Sequence, residues 1–318
     1  MRAVVFTGAG GREVMRLEDR ADPVPGADEV LVAASFAGLN AADLAQRAGS
    51  YPAPPGAPQD VPGLEVAGVV VAAGASVRSV AEGDRVFGLV GGGGLADRVV
   101  VHERHVTAVP DAISDEDAAA APEAFITAHD ALVTRGGLGL GDVLLVNGAN
   151  GGVGSAGVQI GVAAGARVLA SSRGHHDRLS ALGAEPVAPD DAVERARAAG
   201  GADVVLELVG APNLPRDLEA LATRGRIVVV GTGAGVDAAV SLRALMGKRA
   251  AIHGTVLRAR PLEEKALAVQ RFAHEVVPHL AAGRMRAIVD RVFAADDAAD
   301  AFDYFAESGK FGKVILAF

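Results

Sequence analysis

The sequence has 318 residues, enough for about two domains at roughly 150 residues per domain. Half of the residues are hydrophobic, 22% are charged and the net charge is −9; this composition excludes a disordered chain and is unfavourable for binding nucleic-acid phosphates. There is no cysteine, which excludes disulfides, thiolate nucleophiles and cysteine-ligated zinc.

The N-terminal part of the chain predicts a β-rich domain of short strands. An apolar strand begins directly at Met1–Phe6, which leaves no room for a signal peptide, and no apolar run reaches the ~18 residues of a membrane span, so we expect a cytoplasmic protein. Glycine and proline cluster between the strands, as is typical of turns. The predicted strands are Val30–Ser35, Val66–Ala73, Arg85–Leu89 and Arg98–Val101, and Ala41–Ala48 is predicted as a short helix.

From about residue 122 the pattern changes to apolar strands that alternate with helices. Such strands are typical of a parallel sheet covered on both faces, so we predict an α/β fold with a doubly wound sheet. The predicted strands are Asp142–Asn147, Arg167–Ser171, Ala202–Leu208, Arg226–Gly231, Arg249–Thr255 and, at the end of the chain, Lys313–Phe318. The predicted helices are Ser114–Ala121, Ala124–Val133, Val153–Gly165, His176–Leu182 and a long amphipathic helix, Glu263–Ala282.

The strongest motif is a strand followed by a glycine turn and a helix. The strand that ends at Asn147 leads into Gly148–Gly154, which fits the pattern G-x-G-x-x-G with Ala149 in the first glycine position. The middle glycine lets the backbone approach a pyrophosphate, and the last lets the helix pack on the strand. The alternative is a purely structural turn. We predict that dinucleotide binding involves Asn150, Gly151, Gly152, Val153 and Gly154.

The end of the next strand indicates which dinucleotide is bound. NAD-binding proteins usually carry an acidic residue about 20 residues after the glycine motif. Here the strand ends in Ser171, Ser172 and Arg173, followed by Arg178, and no acid stands at that point. Hydroxyl and guanidinium groups suit a 2′-phosphate, so NADPH is the predicted cofactor; the alternative is that Arg173 is a solvated loop residue.

The sequence offers no metal site and no hydrolase motif, since no spacing of the eight histidines assembles three ligands and G-x-S-x-G is absent. The remaining chemistry is hydride transfer without a metal. Reduction of a simple ketone builds charge on a strongly basic alkoxide, whereas a quinone or a conjugated carbonyl disperses the charge. We therefore predict a quinone or a conjugated carbonyl as the acceptor. A quinone reductase, a 2-alkenal or enoyl reductase and a non-catalytic NADPH-binding protein remain alternatives.

Several segments along the chain match the motifs of one known family. They are Ala37–Leu44, Gln46–Gly56, Pro62–Gly68, Glu82–Val86, Pro122–Ala128, Asn147–Gly154, Leu257–Arg260 and Gly309–Leu316. Together they resemble the zinc-free medium-chain dehydrogenase/reductases, in the NADPH:quinone oxidoreductase branch, over essentially the whole chain. Zinc-containing relatives have a cysteine before the first helix and Gly-His-Glu after the proline turn, where this chain has Asn40 and Gly63-Leu64-Glu65.

The resemblance implies a GroES-like catalytic domain (1–121), a Rossmann NADP-binding domain (122–284) and a C-terminal return to the first domain (285–318), with the cofactor in the cleft between domains. It implies that Asn40 and Tyr51 are catalytic, near the nicotinamide and the acceptor; the alternatives are that Tyr51 anchors the proline-rich loop and that Asn40 is a turn residue. It also implies a homodimer that pairs the edge strand Arg249–Thr255 and acts on a small quinone or conjugated carbonyl. One departure weakens the NADP preference: close relatives have a tyrosine where this chain has Ala188-Pro189-Asp190. The other implied cofactor-binding residues are Thr127, Val209, Gly231, Thr232, Leu257 and Lys313. The alternatives are plain helix packing for Thr127 and the capping of a strand for Lys313.

Overall fold

The computed structural model describes all residues from Met1 to Phe318. They form two units: unit one contains Met1–Ile126 and Leu257–Phe318, and unit two contains Thr127–Val256. The segment 257–284, which we expected at the end of the nucleotide-binding domain, lies in unit one. The reason is packing, because the helix formed by this segment buries Phe272 edge-on against Phe87, with ring centroids 5.2 Å apart.

The strands are short and most agree with the prediction to within two residues. Those of unit one that precede unit two are β1 (Arg2–Phe6), β2 (Met15–Asp19), β3 (Glu29–Ala33), β4 (Phe36–Gly38), β5 (Glu65–Ala73), β6 (Arg85–Leu89), β7 (Arg98–His102) and β8 (Val106–Ala108). Those of unit two are β9 (Val143–Asn147), β10 (Arg167–Ser171), β11 (Glu185–Val187), β12 (Ala202–Glu207), β13 (Leu221–Val229) and β14 (Ala251–Gly254). Two strands of unit one follow, β15 (Val289–Ala294) and β16 (Lys313–Ala317).

Eleven α-helices accompany the strands. They are α1 (Ala41–Arg47), α2 (Asp115–Ala120), α3 (Pro122–His129), α4 (Gly152–Ala163), α5 (His176–Ala181), α6 (Ala192–Ala198), α7 (Leu214–Ala220), α8 (Leu242–Lys248), α9 (Leu262–Glu275), α10 (Val277–Ala281) and α11 (Ala298–Ala306). A π-helical turn, Asp130–Arg135, continues α3. No helix is both long and apolar enough for a membrane span.

The helix predicted over Glu263–Ala282 is wrong in one respect, because it is two helices. The break falls at Val276, two residues before Pro278. Proline has no N–H to donate to the carbonyl of His274, and its ring crowds that carbonyl. The apolar spacing continues through this region, but the missing hydrogen bond ends α9 at Glu275 and a new helix, α10, begins at Val277.

Unit one is built on a five-stranded antiparallel sheet in the order β7-β3-β5-β6-β8. The inward side chains of this sheet are mainly valines, which fit a half-buried pleated surface and form one apolar core. A second sheet in the order β15-β16-β4 brings the end of the chain back to this unit, since β16 pairs antiparallel with β4.

Unit two is a six-stranded sheet in the order β11-β10-β9-β12-β13-β14, and every pair in it is parallel. Counted from β9, this is the order 3-2-1-4-5-6 of the Rossmann fold, in which ligands bind beyond the carboxyl ends of the strands. The central strands β9 and β12 are buried nearly throughout. The predicted α/β class, with a doubly wound parallel sheet and a β-rich GroES-like domain, is confirmed.

Candidate nucleotide-binding and acceptor sites

The glycine turn of unit two lies between β9 and α4. Gly148 has φ +80°, a conformation that favours glycine, and the N–H of Ala149 donates to the carbonyl of Ser171 at 3.2 Å. A Cβ on Gly154 would lie 2.2 Å from the Gly148 carbonyl oxygen, so the helix can approach the turn this closely only with glycine there. The last glycine of the motif has the packing role that the sequence predicted.

The middle of the turn is open. A Cβ on Gly151 would meet only the Gly148 oxygen, at 3.7 Å, and Gly151 is the N-cap of α4 without any side chain capping it. The first N–H groups of a helix have no partner within the helix, and here Gly152 and Val153 are partly exposed. Uncapped N–H groups beside a glycine suit a pyrophosphate, so this turn fits a dinucleotide.

The end of β10 places polar groups beside the turn. Ser171 and Ser172 are buried, and the Ser172 hydroxyl bonds to the Asn150 side-chain oxygen at 3.2 Å and to the backbone of Gly174. Arg173 is exposed and makes no hydrogen bond or ion pair. Asn150 and Ser172 are thus brought together, and the Arg173 guanidinium is available to a ligand. Arg178 is exposed on α5.

A buried acidic pair, which the sequence analysis missed, lies below the turn. The Asn147 side-chain amide donates to Glu207 and to Asp217, at 2.7 Å each. The N–H groups of Val209 and Gly210 donate to the other Glu207 oxygen at 2.5 and 2.6 Å. Burial, and the nearby Glu207 carboxylate, raise the pKa of Asp217 to about 9. The sequence contained one signal for this pair, since Glu207 is an acidic residue at the end of the otherwise largely apolar strand β12.

The remaining predicted residues of unit two differ in their surroundings. Val209 and Gly231 lie directly beyond β12 and β13, and a Cβ on Gly231 would meet the Leu208 oxygen at 2.3 Å. Thr232 is exposed beside Gly231, whereas Thr127 is buried on α3. The turns after β9, β10, β12 and β13 therefore share one edge of the sheet, the edge at which Rossmann folds bind ligands.

In unit one, Asn40 and Lys313 belong to a buried network. Lys313 Nζ donates to Glu65 at 2.6 Å, to the Asn40 side-chain oxygen at 2.5 Å and to the Leu39 carbonyl at 2.9 Å. Asn40 Nδ2 donates to the same Glu65 oxygen at 3.0 Å. All three N–H groups of Lys313 are thus hydrogen-bonded inside unit one. The cofactor contact predicted for Lys313 stays a prediction.

Asp43 extends this network from the first turn of α1. It accepts the N–H of Asn40 at 2.8 Å and the N–H of Gly63 at 2.9 Å. Burial raises the pKa of Asp43 to about 6, while these hydrogen bonds oppose the rise. The network therefore holds the proline turn against the start of α1.

Tyr51 lies outside this network and is half-buried in the proline-rich loop. Its hydroxyl makes no hydrogen bond within the chain. The guanidinium of Arg258, the residue after Leu257, lies 5.2 Å from the Tyr51 ring centroid and donates to the Tyr51 carbonyl at 3.0 Å. The Tyr51 hydroxyl is thus a donor that the chain itself does not use.

The arrangement contains no group of three or more histidine, aspartate or glutamate side chains placed to hold a metal ion. At the positions of the zinc ligands that the resemblance identified, the buried Lys313–Glu65–Asn40 contacts occupy the space instead. An ammonium group beside Glu65 competes with any cation for that carboxylate.

Two family models match the chain. The family model described as alcohol dehydrogenase GroES-like domain matches residues 26–111, and the model described as zinc-binding dehydrogenase matches residues 152–274. The structure of CurK enoyl reductase is 25% identical, covers 99% of this chain and 98% of its own, and has a TM-score of 0.84.

Two quinone oxidoreductases are similar over their full lengths. The protein from Lama guanicoe is 32% identical over 99% of this chain and 97% of its own sequence. The structure of the Pseudomonas syringae quinone oxidoreductase is 28% identical, covers 100% of this chain and 99% of its own, and has a TM-score of 0.88. The chain therefore belongs to the medium-chain dehydrogenase/reductase family of oxidoreductases, in its quinone oxidoreductase branch.

Proposed function

We propose that the protein transfers a hydride from NADPH to a quinone. The observation that carries the proposal is the Tyr51 hydroxyl, which has no hydrogen-bond partner within the chain although its side chain is half-buried. Tyr51 offers a neutral hydrogen-bond donor, and the buried acids Asp43 and Glu65 of the same unit are already hydrogen-bonded. Such a site suits an acceptor that disperses negative charge by itself.

Unit two has the groups that would hold the cofactor. The N–H groups of Gly152 and Val153 would bind the pyrophosphate at the start of α4. Ser172 and Arg173 would bind the 2′-phosphate of the adenosine ribose, since a planar guanidinium suits phosphate oxygens. The turns at Val209 and Gly231 would line the ribose. When bound, the nicotinamide supplies the hydride.

In unit one, Tyr51 would donate its hydroxyl hydrogen bond to the acceptor oxygen. Asn40, whose amide is committed to Glu65 and Lys313, would act by holding the first turn of α1 in place. A quinone that gains a hydride carries a negative oxygen until a proton arrives from water. The aromatic ring of the product spreads that charge, so a neutral phenol is a sufficient donor.

Steady-state oxidation of NADPH tests the proposal. Ortho- and para-quinones should be reduced, with a hydroquinone formed for each NADPH oxidised. Simple ketones and aldehydes serve as the control acceptors and should show no turnover. NADPH binding without turnover on any acceptor would instead indicate a non-catalytic binding protein.

A second candidate reaction is reduction of an enal or an enoyl thioester. It is favoured by the similarity to CurK enoyl reductase and by the same requirement for a polarised conjugated carbonyl. A higher kcat/KM for crotonyl thioesters or 2-alkenals than for every quinone would assign this reaction instead.

We also propose a homodimer that forms along β14. This strand is at the edge of the six-stranded sheet and has one side without a partner strand. Leu242 and Met246 on α8 are large apolar side chains that are 70% and 75% exposed, which is typical of an interaction surface. Light scattering at micromolar concentration should give twice the mass of the chain; a monomer mass would contradict the proposal.

A further inference from the structure

Arg258 joins three segments of unit one. It is buried, with 6% of its surface exposed. Its guanidinium donates to the Gly91 carbonyl at 2.8 Å, to the Tyr51 carbonyl at 3.0 Å and to the side-chain oxygen of Gln46. One side chain therefore connects the proline-rich loop, the glycine turn Gly91–Gly94 and helix α1.

The charge of Arg258 has no bonded carboxylate. Its three acceptors are neutral oxygens, whereas the buried Lys313 is bonded to Glu65. A second buried cation, Lys265, donates to the Arg258 carbonyl at 3.0 Å. Asp43 acts on Arg258 through space only, since both of its oxygens accept backbone N–H groups. Burying a cation without a bonded anion costs free energy, so stability alone does not account for arginine at this position.

This charge lies over the Tyr51 ring. The distance of 5.2 Å from the guanidinium carbon to the ring centroid is within the range of cation–π contacts. A cation in that place draws electron density from the phenol, which makes its hydroxyl a stronger hydrogen-bond donor. Burial raises the pKa of Tyr51; the Arg258 charge opposes this rise, and the Glu123 carboxylate adds to it.

We propose that Arg258 is a positioning residue of the acceptor site: it fixes the Tyr51 ring between the proline-rich loop and the glycine turn, and its charge strengthens the hydrogen bond from the Tyr51 hydroxyl to the acceptor. The inference rests on the proposed function, in which the acceptor oxygen becomes negative as the acceptor gains a hydride. Preorganised donors stabilise such developing charge most strongly. Arg258 acts through Tyr51 and does not contact the acceptor.

A double-mutant cycle tests whether the two residues act together. Arg258→Met and Tyr51→Phe should each lower kcat for a quinone about 10- to 100-fold, with a smaller change in KM. In the Tyr51→Phe background, Arg258→Met should lower kcat by less than about threefold, because the group through which it acts is gone. The control is Arg104→Met, which removes a surface ion pair with Glu263 in the same unit and should leave kcat unchanged.

Two further variants separate charge from hydrogen bonding. Arg258→Lys keeps the charge but loses the planar group that reaches three acceptors, and Arg258→Gln keeps a donor without the charge. We expect kcat of Arg258→Lys to exceed that of Arg258→Gln about tenfold. Equal activity of the two, or an Arg258→Met effect of the same size with and without Tyr51, would overturn the proposal.

A measurement without substrate distinguishes this inference from the proposed reaction. The chain has two tyrosines and no tryptophan, so in a Tyr304→Phe background the tyrosine band in near-ultraviolet circular dichroism reports Tyr51 alone. Arg258→Met should remove most of this band while the far-ultraviolet spectrum stays the same; an unchanged band would refute the positioning role. If the wild-type protein reduces no quinone, the proposed function fails, and the Tyr51 band still decides whether Arg258 fixes the ring.

Discussion

Replacement of Arg173 should change the choice between NADPH and NADH. Arg173 follows β10 beside Ser172, and its exposed side chain makes no hydrogen bond or ion pair. Arg173→Ala therefore removes nothing that holds the fold, and we expect the free energy of unfolding to change by less than about 0.5 kcal/mol. Any effect on cofactor binding is then an effect on the contact itself.

The size of that effect follows from the contact that Arg173 would make. A hydrogen bond between charged groups contributes about 1.5–3 kcal/mol. Since each 1.4 kcal/mol corresponds to a factor of ten, Kd for NADPH should rise about 10- to 100-fold in Arg173→Ala, while Kd for NADH stays the same. Arg173→Glu should have a larger effect on NADPH, because it adds repulsion between the carboxylate and the phosphate.

Fluorescence titration with each dinucleotide measures the two values of Kd. Arg197→Ala is the matched control, because Arg197 is also an exposed arginine of unit two and pairs only with Glu219 on the surface. Equal wild-type affinity for NADPH and NADH, or a parallel loss of both in Arg173→Glu, would refute the assignment of a phosphate site here.

Three further predictions concern the buried parts of each site. Gly154→Ala should abolish NADPH binding and lower the melting temperature, because its Cβ would lie 2.2 Å from the Gly148 oxygen; calorimetry with and without NADPH measures both effects. Lys313→Met should destabilise the protein by about 3–5 kcal/mol in urea unfolding because Glu65 is left buried without its cation, and a second change, Glu65→Gln, should restore part of the loss. The pKa of Asp217 is raised to about 9 in the folded state. Folding therefore favours the protonated carboxyl group, and the contribution of Asp217 to the free energy of unfolding declines as the pH rises from about 4 to 9. Asp217→Asn keeps a neutral side chain at every pH and should remove that decline. In urea unfolding across this pH range, the free energy of unfolding of the variant minus that of the wild type should increase by up to about 1.4 kcal/mol per pH unit. A difference that does not depend on pH would contradict the raised pKa of Asp217.

The nucleotide-binding edge was largely predictable from the sequence, because its determinants are local. The turn after β9 is formed by consecutive residues, and the glycine at 154 is required by atoms only a few positions away in the chain. The strand and helix on either side are likewise set by short apolar runs. The boundary of the fold units was not predictable in this way, since α9 has an amphipathic pattern that suits either unit, and contacts with distant residues such as Phe87 and Arg104 decide where it packs.

The acceptor side depended on contacts between distant residues. Tyr51 and Asn40 were identified by resemblance, but the sequence showed nothing of the Arg258 contacts to Gln46, Tyr51 and Gly91, which join positions up to 212 residues apart. In the same way, the sequence did not show that the Lys313 ammonium group bonds to Asn40 and Glu65, which lie more than 200 residues away in the chain.

The sequence by itself thus determined the fold class and the glycine turn between β9 and α4, because backbone geometry and apolar periodicity act over short stretches. Only the tertiary structure decided which polar groups are committed to each other and which, such as the Tyr51 hydroxyl, are left to bind a ligand. A buried polar group is stable only with a partner, and folding, not sequence spacing, brings that partner into contact.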